Sequence, residues 1–312
     1  MINLFEFENH LINTEEFDHL LHGKIVKEFE QQICEYVGAK YAASFSSASY
    51  AIYSILKSSV CHTPETVTIP SMIPAVVPNV LMDAGVGIKF STNTKWVGGS
   101  YRFTDKVVDS AQKLNRNQFS EECDPDDLLI FSMYPTKPLS SLDGGVVVSN
   151  NKEKIDDLKS LSFYGMDFSE DSWSRIQKQV GFKAYMSTMQ ATIASRNLKT
   201  LDKRYERIDE VRSEYNKSFN LNNTSRHLYR IEVRDNKEAL KFFHAKGIVC
   251  GIHYAPMHSS HIFEDCTTDG EKRLLDENVS LSSIKTISIP LHYRLTEEQV
   301  RHIIKSVKEI NV

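Results

Sequence analysis

The strongest constraint in this 312-residue chain is a set of short apolar runs without polar alternation, LLIF at 128–131 and VVV at 146–148. A strand with one face in water alternates polar and apolar residues, whereas a strand covered on both faces reads as a continuous apolar run. The runs therefore predict a sheet with helices on both faces. The covering helices are visible in the pattern. Ile25, Phe29 and Ile33 fall on one face of residues 24–37, an apolar helix follows Ser46, Ser47 and Ser49, and another spans 76–83. Strand candidates at 41–45, 66–70, 87–91, 106–109, 128–133 and 146–149 alternate with these helices, the arrangement of an α/β domain with a mainly parallel sheet.

The pattern changes after Met186. Residues 186–218 contain no Gly or Pro and read as one long helix, either straight or kinked. A strand at 227–233, a helix at 236–246 and strands at 249–254 and 286–290 follow. A last helix is announced by Thr296 and Gln299 in capping-box spacing, with Val300, Ile303 and Ile304 as its apolar face. The expected organisation is an N-terminal arm (1–22), a large domain (23–195) shortened between 90 and 107, and a smaller α+β C-terminal domain (196–312). A 41% hydrophobic content suffices for cores of that size.

Charge and cysteine usage exclude several function classes. With 37 Lys and Arg against 41 Asp and Glu, the net charge is −4, and no run of five or six like charges occurs. The chain thus has no general attraction for nucleic acid or an anionic membrane. Five scattered cysteines without a C-x-x-C pair suit reduced thiols rather than a disulfide framework or a zinc site, so no metal is expected. The segment MINLFEFENHLINTEEF has acidic residues where a secretory signal needs a basic flank and an apolar run, and no stretch approaches the ~20 apolar residues of a membrane span. A cytoplasmic protein is expected.

Two segments carry chemistry. VVDSAQ (107–112) ends a strand with Asp109 and an amide, Gln112. FSMYPTKPLSSLDGG (131–145) follows the next strand and offers Ser132, Lys137 between Pro135 and Pro138, then Gly144 and Gly145. Ligands of open α/β sheets bind beyond the carboxyl ends of strands, so Asp109, Ser132 and Lys137 are expected at one sheet edge. Each type has a task in a pyridoxal 5′-phosphate (PLP) site. A lysine amine holds the cofactor and shuttles a proton. An aspartate facing the pyridine nitrogen keeps it protonated, making the ring a better electron sink. Hydroxyls and N–H groups at a helix start, as at Ser47 and Ser49, bind phosphate. Singly, each has an ordinary reading: a solvated loop lysine, a turn aspartate, a serine N-cap, a glycine turn. Order and spacing together carry the inference.

Those spacings resemble the DegT/DnrJ/EryC1/StrS family of PLP-dependent sugar aminotransferases of fold type I. The family's acidic motif is similar to Val108-Asp109-Ser110-Ala111-Gln112, and its F-S-x-x-P-T-K-x-L motif followed by G-G is matched from Phe131 through Gly145. Residues 26–51, 181–204, 251–258 and 288–300 resemble further family landmarks in the same order. The resemblance implies roles at the matching positions. Lys137 is the Schiff-base lysine and proton shuttle, Asp109 pairs with the pyridine nitrogen, and Gln112 contacts the ring hydroxyl. Ser132 and the backbone at Ser49 and Tyr50 hold the phosphate. It implies a homodimer with shared active sites, glutamate as amino donor, and a nucleotide-linked keto-deoxysugar as acceptor, as in O-antigen or other polysaccharide biosynthesis.

Four departures accompany it. A strand and helix that usually precede the aspartate strand are missing between 90 and 107. Pro74 stands where the family often stacks an aromatic residue on the cofactor. Lys183 replaces a phosphate-contacting Asn that reaches the partner's site, and Tyr185 replaces a nearby Arg. His253, Tyr254 and His258 are expected on the substrate side, with Tyr185. Trp96 and Trp173 carry no functional signal. The alternatives to amino transfer are a PLP sugar dehydratase, whose relatives tend to have His in place of Lys137, and a PLP-binding homologue with little turnover.

Overall fold

A computed structural model describes residues 1–6, 11–167 and 172–310, so part of the expected N-terminal arm lies outside the described residues. Helix α1 (Lys24–Val37) leads to strand β1 (Tyr41–Phe45), then α2 (Ala48–Lys57), β2 (Thr66–Pro70), α3 (Val76–Asp83) and β3 (Gly87–Ser91). Next come β4 (Tyr101–Thr104), β5 (Val107–Asp109), α4 (Gln118–Glu122), β6 (Leu128–Ser132), β7 (Gly145–Ser149) and α5 (Lys152–Ser162). The second half holds α6 (Thr188–Lys199), α7 (Leu201–Phe219), β8 (Tyr229–Glu232) and α8 (Asn236–Ala245). It ends with α9 (Asp269–Leu275), α10 (Leu281–Ile284), β9 (Thr286–Ile289) and α11 (Glu297–Ile310).

The central sheet runs β1-β7-β6-β5-β4, beside the two-stranded ladders β2-β3 and β8-β9. Its directions follow from its connections. The βαβ units β2-α3-β3 and β5-α4-β6 are parallel, each with a helical crossover. The β4–β5 link is only residues 105–106 and the β6–β7 link carries no helix, so both pairs are antiparallel. Strand β7 also runs against β1. The sheet is thus mixed, with its parallel pairing confined to the crossover units.

Both faces of the sheet are covered, as the uninterrupted runs require. Leu129, Phe131, Val146 and Val148 point to one apolar layer, where they meet Phe29 and Ile33 of α1 and Ala191 and Ala194 of α6. Ile130 and Val147 point to the other, against Ile52 and Ile55 of α2 and Leu158 of α5. Each such Val, Leu or Ile contributes ~1.5–3 kcal/mol on burial. The first layer continues without a break through Tyr205 and Tyr215 to Ile231, Ile287, Val300 and Ile303.

Two local expectations are corrected. The long helix predicted over 186–218 is two helices that meet at Thr200 (φ −107°, ψ 1°), whose hydroxyl bonds back to Asn197 O at 3.3 Å, a contact that bends helices. The strand predicted at 249–254 is reduced to one bridge. Gly251 and Ser288 exchange backbone hydrogen bonds of 3.0 and 2.7 Å, after which the chain leaves β9 and Pro256 pairs with Met72 instead. That departure carries His253 and Tyr254 toward the carboxyl ends of β5 and β6.

Candidate active site

Asp109 is the last residue of β5. Parallel pairing with β6 sets it opposite Ile130, two residues before Ser132 and seven before Lys137. The carboxylate is 3% exposed. Its Oδ1 accepts from Ala111 N at 2.9 Å and its Oδ2 from the Tyr101 hydroxyl at 2.9 Å. Among the described residues it makes no ion pair. Burial raises its pKa, opposed by the Ala111 N–H, by Tyr101 and by the charge of Lys137. Lys137 answers in kind: burial lowers its pKa from 10.5 to about 8, and Asp109 resists that shift. About a tenth of the amine is then unprotonated at pH 7, against under one in a thousand for a solvated lysine near ~10.4.

A buried carboxylate with two neutral donors, whose nearest cation Lys137 acts on it without a direct ion pair, retains acceptor capacity and gains from a charged donor brought to it. A protonated pyridine nitrogen answers that need, so the residues present fit PLP. The Lys137 loop is held in place by backbone bonds: Lys137 N to Tyr134 O at 2.8 Å, Met133 N to Gly144 O at 2.9 Å and Ser141 N to Met133 O at 2.9 Å.

The start of α2 adjoins the loop. Ser47 N-caps α2, its Oγ accepting from Tyr50 N at 3.3 Å, and Ser49 and Tyr50 lie in the first turn. The positive end of the helix dipole and its free N–H groups favour phosphate there. Gly145 lets β7 abut this turn: a Cβ on it would lie 2.6 Å from Ala48 N and Cα. Gln190 Nε2 reaches Ser46 O (3.0 Å) and Asp143 O (2.9 Å), tying the turn to the Lys137 loop. Ser132 Oγ accepts from Tyr134 N at 3.4 Å at the mouth of the same loop.

Gln112 is 1% exposed. Its Oε1 accepts from Gly98 N at 2.6 Å and its Nε2 donates to the Tyr254 hydroxyl at 2.7 Å, leaving one Nε2 hydrogen for a ligand. Burial, with Asp109 nearby, holds the Tyr254 phenol well above its usual pKa. Trp96 lies near-parallel to Tyr254 (11°, centroids 6.3 Å apart) and edge-on to Tyr101 (4.8 Å), and its Nε1 donates to Met72 O at 3.0 Å. Pro74 is half-buried at the turn before α3, where its carbonyl accepts from Val77 N. The aromatic surface beside Asp109 therefore comes from Trp96, Tyr101 and Tyr254.

On the lysine side, His253 Nδ1 is 2.9 Å from Ser288 Oγ. Burial, then the charges of Lys137 and Arg230, lower its pKa to about 4, so it is neutral. His227 is depressed by the same burial and by Lys137, and Phe5 stacks on it at 5.4 Å. His258 is a correction. It is fully buried, with Nδ1 2.5 Å from Ser71 Oγ and Nε2 3.1 Å from Asp276, so it joins the turn after β2 to the helices after α9, with both ring nitrogens engaged and no surface exposed. Lys183 is exposed and Tyr185 packs on His22, Phe163 and Tyr164 rather than on the Asp109 cluster. Their segment is tied to the phosphate turn through Ser46 N and Ala184 O at 2.7 Å.

The profile of the DegT/DnrJ/EryC1/StrS aminotransferase family matches residues 5–86 and 109–308. The chain belongs to this family. It is an aminotransferase whose cofactor is PLP. A UDP-4-amino-4,6-dideoxy-N-acetyl-beta-L-altrosamine transaminase of Campylobacter jejuni (serotype O:23/36, strain 81-176) is 27% identical, over 90% of this chain and 88% of the relative. The spore coat polysaccharide biosynthesis protein SpsC of Bacillus subtilis (strain 168) is 24% identical, over 95% and 92%. The fold is that of Helicobacter pylori PseC, an aminotransferase involved in the biosynthesis of pseudoaminic acid. Its TM-score is 0.78 at 19% identity, with 98% of each chain covered.

The Campylobacter alignment takes 338 positions to span 90% of this shorter chain, so several dozen positions of that relative have no counterpart here. The family match breaks at residues 87–108, the segment that supplies Trp96, Gly98 and Tyr101. Sequence reading missed these residues, and also Phe5 and His227. The available signal for Tyr101 was the alternating Tyr-Arg-Phe-Thr followed by Asp105-Lys106 and Val107, a hairpin pattern leading straight into Asp109.

Proposed function

We propose that this aminotransferase moves an amino group from glutamate to a keto carbon of a nucleotide-linked deoxysugar destined for a surface or capsular polysaccharide. The observation that carries the reading is the coupled pair at the sheet edge: a buried Asp109 that keeps acceptor capacity, and a Lys137 amine with its pKa lowered to about 8. The substrate class rests on the relatives, whose names describe UDP-linked aminodideoxysugar and coat polysaccharide synthesis.

Bound here, PLP supplies an aldehyde that captures the substrate amine and a ring that withdraws electrons from the adjacent carbon. The chain supplies the rest. Lys137 anchors the cofactor and, once displaced, moves the proton at the substrate carbon; a pKa near 8 keeps enough free base for that task near neutrality. Asp109 would hold the proton on the ring nitrogen. Gln112, held by the Tyr254 hydroxyl, would contact the ring's hydroxyl side. The α2 start at Ser49 and Tyr50, with Ser132, binds the phosphate. Neutral His253 lines the substrate side, positioned by Ser288. Lys183 and Tyr185 contribute to a neighbouring subunit's site in a homodimer. The units are an arm (1–22), a large domain (23–195) and a small domain (196–312), and the enzyme works in the cytoplasm. Among the described residues no helix is long and apolar enough to cross a membrane.

The test is a two-stage titration of the PLP-loaded protein. Glutamate should convert the visible band to the aminated-cofactor band with release of 2-oxoglutarate, and a UDP-linked 4-keto-6-deoxysugar should reverse it. Absence of the first conversion with any amino donor would sink amino transfer, and reversal only by small keto acids would sink the sugar acceptor.

A further inference from the structure

We infer that Tyr101 is a positioning residue for Asp109, supplied by the segment in which this chain departs from its family. The inference rests on the proposed cofactor site. The segment 87–108 falls outside the family match, yet it is built into the site. Strand β4 pairs antiparallel with β5 so that Tyr101 and Asp109 are direct cross-strand partners, which puts both side chains on one face. The phenol donates to Asp109 Oδ2 at 2.9 Å, while Oδ1 takes Ala111 N at 2.9 Å.

The ring of Tyr101 cannot swing away easily. It is 7% exposed, and Trp96 lies edge-on to it at 4.8 Å while Trp96 is itself pinned through Nε1 to Met72 O. Two residues on from Trp96, Gly98 N fixes the Gln112 amide. A family member with the longer connection would have to hold these two motif residues from elsewhere. Here a short hairpin does so from Trp96, Gly98 and Tyr101.

A hydrogen bond to an ionised oxygen is of the stronger kind and favours the carboxylate over the acid. Tyr101 keeps the proton it donates, because burial and the Asp109 charge hold its phenol far above its normal pKa. The other groups facing Asp109 are few: Lys137 from the loop after β6, Tyr254 from the 251–256 segment, and the Ala111 N–H. Without Tyr101 the buried carboxyl would protonate more readily and lose its hold on a ring N–H.

The test uses Tyr101→Phe, which keeps the ring and removes one hydroxyl, with Asp109→Asn and the double variant. In cofactor-free protein carrying carboxyl-labelled aspartate, the carbon resonance absent from Asp109→Asn identifies Asp109. Tyr101→Phe should raise its titration midpoint by about one pH unit. In spectral titrations Tyr101→Phe should weaken PLP binding about tenfold, and the double variant should bind no worse than Asp109→Asn alone. An unmoved Asp109 midpoint overturns the inference whether or not PLP binds. So does an equal loss of affinity when Tyr101→Phe is added to Asp109→Asn, which marks packing rather than support of the carboxylate. A midpoint that moves in Tyr101→Phe, with a wild-type protein that takes up no PLP, overturns the cofactor reading of the site, and the role of Tyr101 in it.

Discussion

Replacing Lys137 by Met should stabilise the cofactor-free protein near neutral pH. The Lys137 ammonium is held at about 8 rather than 10.5, a difference worth ~3 kcal/mol at 1.36 kcal/mol per unit. The side chain keeps some accessible surface, and solvent screening reduces this to roughly 2–3 kcal/mol. The sign follows from proton counts. Between pH 8 and 10.5 the unfolded chain holds a proton at this lysine that the folded chain has released, so wild-type stability rises with pH across that window. Below pH 8 the penalty is complete. At ~2.1 cal/mol/K of unfolding entropy per residue, the difference amounts to roughly 3–5 °C for 312 residues. Thermal unfolding of both proteins, stripped of cofactor, from pH 6 to 10.5 checks it. The variant should melt higher at pH 7, and the gap should close toward pH 10.5. Groups that do not sense the Lys137 charge cancel in the difference; Asp109, His227 and His253 do sense it. A gap that does not change with pH, or a wild type that melts higher at pH 7, would refute the idea that Lys137 is stored as a strained, depressed amine.

Three further outcomes follow from the site's supports. Gly145→Ala should lower stability by ~1–3 kcal/mol in urea unfolding and weaken PLP binding, because its Cβ would press on Ala48 backbone atoms at the phosphate turn. His258→Ala should lower stability by a similar ~1–3 kcal/mol, by stranding the buried Ser71 hydroxyl, yet leave PLP affinity within about twofold. Ser47→Ala removes the α2 N-cap, with a loss of ~1 kcal/mol and a measurable drop in affinity for PLP but not for pyridoxal, which lacks the phosphate.

Legibility in the sequence followed the range over which each signal acts. Helix α1 and strands β1 and β2 stand where local periodicity predicted them, because a packed face repeats every few residues. A kink in 186–218 was allowed for, but its place at Thr200 was hidden: no Gly or Pro marks it, and a threonine back-bond is a weak local cue. Strand β4 was passed over because it has four residues and gains its identity only by pairing with β5. The same division runs through the site. Asp109, Lys137 and the serine turn lie in contiguous motifs at strand ends and were readable. The contacts of Tyr101 with Asp109, of Gly98 with Gln112, and of Phe5 with His227 join residues 8, 14 and 222 positions apart, which only the folded chain brings together. His258 failed in the opposite way: its motif neighbourhood suggested a substrate contact, and burial between Ser71 and Asp276 gives it a structural task instead.

The central claim is that PLP joins the chain at Lys137, with Asp109 as the partner of its pyridine nitrogen. Borohydride reduction of the PLP-treated protein, followed by peptide mass mapping, tests it most directly. The account predicts one pyridoxyl group per chain, on the peptide containing Lys137, and none in Lys137→Met. A label on another lysine, or no label at saturating PLP, would contradict it.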